Sequence, residues 1–114
     1  MTFLDEHIFD RQGRPLTVEE FFVLHADPLY RRVACARLHK VWVSTVWLGL
    51  NHSAWGPLEI FETMVFVVRR RDRNAPWNFL TWRYPTEATA RRGHEALVNH
   101  IRARGVGRLE YWWA

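Results

Sequence analysis

One carboxylate inside an otherwise apolar stretch is the residue of this chain best suited to chemistry. Glu62 lies between Phe61 and Thr63, in a run that continues to Val68. A buried carboxylate is costly unless an opposite charge or hydrogen-bond donors compensate it. The sequence therefore predicts a partner for this side chain, and the candidates are Thr45, Arg83 and His94.

Two interpretations of Glu62 stay open at this stage. In the structural one, a buried Glu62–Arg83 or Glu62–His94 pair fixes the C-terminal helix to the sheet. In the functional one, the same cluster lines an open polar pocket for a small ligand or for a side chain of a partner. The ligand-binding residues predicted on the second interpretation are Thr45, His52, Trp55, Glu62, Arg83 and His94.

Metal and nucleophilic chemistry have less support. His94-Glu95 begins like a zincin motif, but the next histidine is His100, about 120° further round a helix, so the two cannot hold one ion. A metal-dependent hydrolase or nuclease built on His52, Glu62 and His94 remains an alternative. The single cysteine permits no intrachain disulfide, and its two alanine neighbours indicate a small buried apolar residue. We therefore predict no catalytic residue, no metal and no cofactor.

A basic segment supports a second alternative, binding of single-stranded nucleic acid. Four arginines fall close together, at Arg69, Arg70, Arg71 and Arg73, and aromatic residues follow at Trp77, Phe79, Trp82 and Tyr84. Basic groups beside aromatic planes are typical of single-strand binders. Strand alternation, however, puts the first two aromatics on the opposite face of the sheet from the last two. A solvated hairpin tip is the other interpretation of the arginines.

Size and composition predict one domain spanning residues 1–114. The chain is 48% hydrophobic and 25% charged, and its formal net charge of +4 permits nucleic-acid binding without requiring it. The first residues lack the pattern of a signal peptide, and no apolar run reaches the roughly 20 residues that cross a bilayer. We expect a cytoplasmic protein without a membrane partner.

The elements that must position these residues form an antiparallel sheet. Apolar runs on both sides of the loop 51–56 predict two central strands, in a register that places Thr45 opposite Glu62. Further strands are predicted over Tyr30–Leu38, with Cys35 sharing a face with Val33, and over Trp77–Tyr84.

Two helices are predicted from their caps and spacing. Thr17 and Glu20 form a capping box ahead of a helix that buries Phe21 and Phe22 and ends at Asp27-Pro28. The second helix begins at Pro85-Thr86 and ends at Gly105, with an inner stripe of Ala90, Gly93, His94, Leu97 and Ile101. The predicted fold class is α+β, a single domain with an antiparallel sheet of four to five strands packed against two helices.

Three separated segments carry a resemblance to a known group. The segments are VSTVWLGLNH at 43–52, IFETMVF at 60–66, and RYPTE at 83–87 followed by GHE at 93–95. In this order they resemble a family of small uncharacterised proteins encoded by viruses of actinobacteria and by related prophages. The resemblance spans about Tyr30 to Val98. It implies an accessory viral gene product and carries no established activity with it.

The sequence and the resemblance together predict a non-catalytic viral accessory protein. Its expected partner is a host protein or a nucleotide-like ligand, for example in countering host defence, in the cytoplasm of the infected or lysogenic bacterial host. The alternatives remain single-stranded nucleic-acid binding and metal-dependent hydrolysis. The C-terminal Tyr111-Trp112-Trp113 is too apolar for a free tail, so it is predicted to pack on the domain or to contact a partner, a homo-oligomer included.

Overall fold

A computed structural model describes residues 6–68 and 77–106 of the chain. The predictions made for Arg69–Arg73 and for the Tyr111–Trp113 tail lie outside these residues. The elements in chain order are α1 (Val18–His25), α2 (Pro28–Arg31), β1 (Arg32–Leu38), β2 (Val41–Trp47), β3 (Phe61–Val68), β4 (Trp77–Tyr84) and α3 (Glu87–Arg104).

The four strands form one sheet in the order β1-β2-β3-β4, and every neighbouring pair is antiparallel. Helix α3 crosses one face of this sheet and contacts all four strands. We call the face under α3 the inner face and the opposite one the outer face. Val43, Thr45 and Trp47 of β2 are buried on the inner face. This arrangement confirms the predicted α+β class and the antiparallel sheet of at least four strands.

The predicted register between the two central strands is wrong by one residue. Thr45 lies opposite Thr63, and Glu62 lies opposite Val46. The prediction assumes that the loop 51–56 closes a hairpin with Leu50 opposite Pro57, whereas Leu50 pairs with Ile8 and the regular pairing of the two strands ends at Trp47 and Phe61. Because side chains alternate along a strand, the shift moves Glu62 to the outer face.

A short helix and an irregular pairing correct the prediction for the first strand. Residues Pro28–Arg31 form the short helix α2, with Asp27 accepting from the Leu29 amide, so the strand begins at Arg32. The β1–β2 pairing shifts between Arg32 and Ala34, which lets Val33 bury itself while Cys35 lies exposed on the outer face. The predicted burial of Cys35 beside Val33 is therefore wrong.

The first helix has the predicted capping box but a narrower buried stripe. Thr17 accepts from the Glu20 amide, and the Glu20 carboxylate accepts from the Thr17 amide. Among its residues only Phe21 is buried, against the Trp47 ring at 5.9 Å between centroids. Phe22 was predicted to be buried and is exposed, because a helix of two turns meets the domain along one line of side chains.

The segment before α1 ties the start of α3 to the short helix α2. The Arg11 Nε donates to Glu87 Oε1 at 2.6 Å, and its Nη1 donates to the Tyr30 carbonyl at 3.0 Å. The hydrogen bond from Arg11 holds the pKa of the Glu87 carboxyl below its ordinary value. Because Glu87 lies in the first turn of α3, its negative charge also suits the helix dipole.

Helix α3 follows the prediction closely. Thr86 caps it, Gly105 at φ +73° ends it, and Ala90, His94, Leu97, Val98 and Ile101 are buried. Gly93 faces the sheet at the point of closest approach, since a Cβ there would overlap the hydroxyl and ring of Tyr84. The helix gives up about 1 kcal/mol of propensity at this glycine in return for close packing.

Replacement of Gly93 by alanine is therefore expected to destabilise the fold, although alanine is the better helix former. Overpacking of a filled core typically costs about 1–3 kcal/mol, and Tyr84 is buried and cannot swing away. Urea unfolding followed by circular dichroism measures the loss. Ala96, exposed on the same helix, supplies the control: Ala96→Gly should show only the propensity difference of about 1 kcal/mol. A gain in stability for Gly93→Ala would contradict the close approach.

Candidate functional site

The six predicted ligand-binding residues lie in three separate places. Thr45 and His94 meet on the inner face beneath α3, and Glu62 and Arg83 pair on the outer face. His52 and Trp55 are exposed in the connection between β2 and β3. The single polar pocket predicted from the sequence is not assembled, since the sheet itself stands between the first two groups. The one-residue difference between the predicted and the observed register of β2 and β3 is the physical reason.

The inner-face group is a continuous chain of hydrogen bonds. The Oγ1 atoms of Thr45 and Thr63 are 2.5 Å apart, and Thr45 Oγ1 is 2.8 Å from His94 Nδ1. Both threonines are fully buried, and His94 is almost so. Polar groups this deep must be paired to be tolerated. The chain links the two central strands to α3, which is the fixing role that the sequence assigned to Glu62.

Burial lowers the pKa of His94 below its ordinary value of 6.5. The positive charge of Arg91 acts in the same direction, while Glu95 opposes it. The imidazole is therefore neutral at pH 7 and bonds as a neutral ring. Beside it, a cleft of about 260 Å³ opens between α3 and the edge strand β1. Its lining residues are Ala36, His94, Glu95, Val98, Asn99 and Arg102.

Stability should consequently fall on acidification. A group whose pKa is lower in the folded state binds a proton more readily in the unfolded chain. The contribution of His94 to the free energy of unfolding is therefore highest above pH 6.5 and falls as the pH drops below that value. Urea unfolding at pH 7.5 and pH 5.5 measures the difference. In His94→Gln, which cannot titrate, the decline between the two pH values should be smaller. An equal decline in both proteins would assign the effect to other groups.

Glu62 does find the predicted partner Arg83, directly opposite it on β4. The Arg83 Nε is 3.1 Å from Glu62 Oε2, and the glutamate side chain is 12% exposed against 40% for the arginine. The prediction of a Glu62–Arg83 pair is confirmed, but the predicted link to the C-terminal helix is wrong. The pair joins β3 to β4 on the face opposite α3.

The connection from β2 to β3 is held by its own hydrogen bonds. Asn51 Oδ1 accepts from the amides of Ser53 and Glu59, at 3.0 and 2.9 Å, and the His52 amide donates to the Glu59 carbonyl. Trp55 projects from this closed loop and is 91% exposed. The loop thus presents one large aromatic side chain to solvent.

The outer face carries an arrangement that sequence reasoning missed. Arg37, Trp42 and Phe66 lie side by side across β1, β2 and β3. The Trp42 ring centroid is 6.1 Å from that of Phe66, and the Arg37 guanidinium carbon lies 5.4 Å from the Trp42 centroid. The Trp42 Nε1–H donates to Cys35 Sγ at 2.7 Å. We call Arg37, Trp42 and Phe66 the aromatic row.

Two further rows lie beside the aromatic row on the outer face. The middle row is uncharged and consists of Cys35, Ser44, Met64 and Thr81. The third row is charged and consists of Arg32, Val46, Glu62 and Arg83. The alternation of side chains along β2 indicates this face in the sequence. Val43 and Thr45 point to the buried side, so Trp42 and Ser44 lie together on the opposite side of the sheet.

The aromatic row supplies planar groups and positive charge together. Nucleobases stack on aromatic rings and on guanidinium planes, and guanidinium also forms paired hydrogen bonds with phosphate. Two of the aromatics that the sequence placed beside the arginine-rich tip, Trp82 and Tyr84, do not serve this way, since they are buried on the inner face.

Metal ligands are not brought together in residues 6–68 and 77–106. No group of three or more His, Cys, Asp or Glu side chains there could hold an ion. His94 lies beneath α3, Glu62 lies on the outer face and His52 lies in the loop. The residue set of the hydrolase or nuclease alternative is therefore not assembled.

None of the helices in the described part of the chain is long and apolar enough to cross a membrane. Comparison with protein-family models, with curated proteins and with solved structures finds no match.

Proposed function

We propose that the protein is a non-catalytic binding protein that holds a nucleotide-like ligand on the outer face of its sheet. One observation carries the proposal: Trp42 stands in register with Phe66 at the centre of the sheet, with the Arg37 guanidinium over its ring. In line with the viral resemblance, we assign it an accessory role in the cytoplasm of an infected or lysogenic host, such as countering host defence.

Exposure of Trp42 is the first support. The residue is 39% exposed, whereas its inner-face neighbours Val43 and Thr45 on the same strand are buried. An indole on an open sheet face gains from a planar partner, because stacking a base on an aromatic side chain contributes about 1–3 kcal/mol.

Charge is the second support. The chain carries a formal net charge of +4, and Arg37 brings one positive group directly to the aromatic row. A nucleotide offers the matching chemistry, with a flat base for the ring and a phosphate for the guanidinium. No proton transfer or bond cleavage is needed from any side chain of this face.

Titration calorimetry with AMP, GMP, CMP and UMP tests the proposal. Binding should occur and should weaken about 5- to 100-fold in Trp42→Leu, since one stacking contact is lost. Trp55→Leu is the matched control, because it removes an exposed tryptophan from the loop and should leave the affinity unchanged. Failure of every mononucleotide and short oligonucleotide to bind would overturn the proposal, as would equal binding by both variants.

A second candidate function, binding of a host protein, is favoured by a different observation. Phe22, Val23 and Leu29 are 58%, 72% and 79% exposed on the consecutive helices α1 and α2. Apolar side chains of this size in the open are typical of interaction surfaces. Capture of one defined host protein that is lost in the double variant Phe22→Ser, Val23→Ser and kept in Trp42→Leu would support this candidate. Equal capture by both variants would remove it.

A further inference from the structure

We infer that the nucleotide-like ligand is a single-stranded nucleic acid, held through at least two successive nucleotides across the outer face. The inference rests on the proposed function, in which this face binds a nucleobase. It adds that the ligand is a polymer of at least two nucleotides.

The two rings of the aromatic row provide two separate stacking planes. Trp42 and Phe66 face each other across β2 and β3, yet their planes are inclined by 52°. One flat base cannot lie parallel to both rings. Two bases can, each on its own ring, and neighbouring nucleotides of one strand supply two bases at the spacing of a covalent backbone.

Positive groups stand on both sides of the uncharged middle row. Arg37 belongs to the aromatic row, and Arg32 belongs to the third row, where it pairs with Val46. Because alternate residues of a strand are about 6.6 Å apart, the aromatic and third rows are separated by about 13 Å. A ligand that contacts both arginines must span that distance, which favours successive phosphates over a single one.

Charge in the third row comes chiefly from Arg32. Arg83 also lies there, but its ion pair with Glu62 makes those two residues neutral together. The uncharged Ser44 and Met64 between the charged rows leave room for sugar and base edges without repulsion. The described face is therefore positive at two places along one line and negative only where an arginine compensates it.

The same geometry disfavours a duplex. In a double helix the base planes are stacked on one another and are closed to side chains that lie flat on a sheet. Bases that are free to leave the stack are those of single strands. The face thus predicts a preference for single-stranded over double-stranded ligand of equal length.

Fluorescence anisotropy with 5′-labelled oligonucleotides tests the inference. The series runs from a labelled mononucleotide through the dinucleotide and tetranucleotide to an octamer of one base, with the octamer also presented as a duplex. Affinity should rise at least tenfold from the mononucleotide to the tetranucleotide and should drop at least fivefold in the duplex. In Arg32→Gln and in Arg37→Gln, the slope of log affinity against log salt should each decrease by about 0.7, the contribution of one phosphate contact on a single strand.

Arg92→Gln is the control for charge, because Arg92 is exposed on α3 and lies away from the outer face. It should leave the salt slope unchanged, and thermal melting of all three variants should show that each is folded. If mononucleotides bind and the affinity does not rise with the length of the oligonucleotide, the inference of a polymeric ligand is overturned while the proposed function stands. Equal affinity for duplex and single strand would also overturn it. Absence of binding by every ligand would remove the proposed function itself.

Discussion

Replacement of Gly49 by alanine is expected to lower the unfolding free energy by about 3 kcal/mol. Gly49 adopts φ +80°, a left-handed conformation that costs an L-residue roughly 1–2 kcal/mol. A Cβ there would also lie 2.5 Å from Trp47 Cζ2 and 2.7 Å from Phe21 Cε2. Both rings are buried, so neither can move aside, and overpacking adds about 1–3 kcal/mol. Urea unfolding monitored by circular dichroism gives the value.

Gly13 separates the two contributions to that loss. It has nearly the same φ, +83°, but a Cβ at this position would meet no atom within 4 Å. Gly13→Ala should therefore show the backbone contribution alone, about 1–2 kcal/mol. Equal losses at the two glycines would show that the rings of Trp47 and Phe21 do not constrain residue 49.

Replacement of Thr45 by valine should have an effect of similar size, about 3 kcal/mol. Valine keeps the shape of threonine but removes the hydroxyl that bridges Thr63 and His94. The two partners then lose a hydrogen bond inside the core, and each buried polar group left unsatisfied costs about 1–3 kcal/mol. Guanidinium unfolding at pH 7.5, where His94 is neutral, is the measurement.

Thr45→Ser is the matched control, because serine keeps the bridging hydroxyl and loses one methyl group. It should lose about 1 kcal/mol, in line with the removal of one buried methyl. The double variant Thr45→Val, His94→Leu removes both partners of the bond to α3, so it should lose less than the sum of the single variants. A loss for valine no larger than that for serine would mean that the bridge contributes little.

The elements of this fold that depend on neighbouring residues could be predicted from the sequence. Thr17 with Glu20, and Thr86 at the start of α3, act through atoms at most three residues away. The capping hydrogen bonds of these residues can therefore be predicted from the residue types and their spacing. The apolar spacing of α3 likewise predicts which of its residues are buried, because one helix face must meet the sheet.

The register could not be predicted, because the segment that follows β2 pairs with a residue that is distant in the chain. Leu50 pairs with Ile8 and not with Pro57, so the loop does not close the hairpin that the predicted register assumes. Glu62 and Arg83 were correctly matched, since a carboxylate within an apolar run favours an opposite charge on either face of the sheet. The face of the sheet on which this pair lies was not predicted correctly. Arg11 and Glu87 lie 76 positions apart, and only the folded chain shows that they meet.

The strictly sequential order of the sheet has a consequence for how the chain assembles. Since each strand pairs only with strands next to it in sequence, the sheet can grow by adding one hairpin at a time. Closing a short loop loses little chain entropy compared with closing a long one. We therefore expect the sheet to assemble strand by strand along the chain, with α3 packing onto it afterwards. Folding should be fast for a protein rich in β-structure, with docking of the helix as its last step.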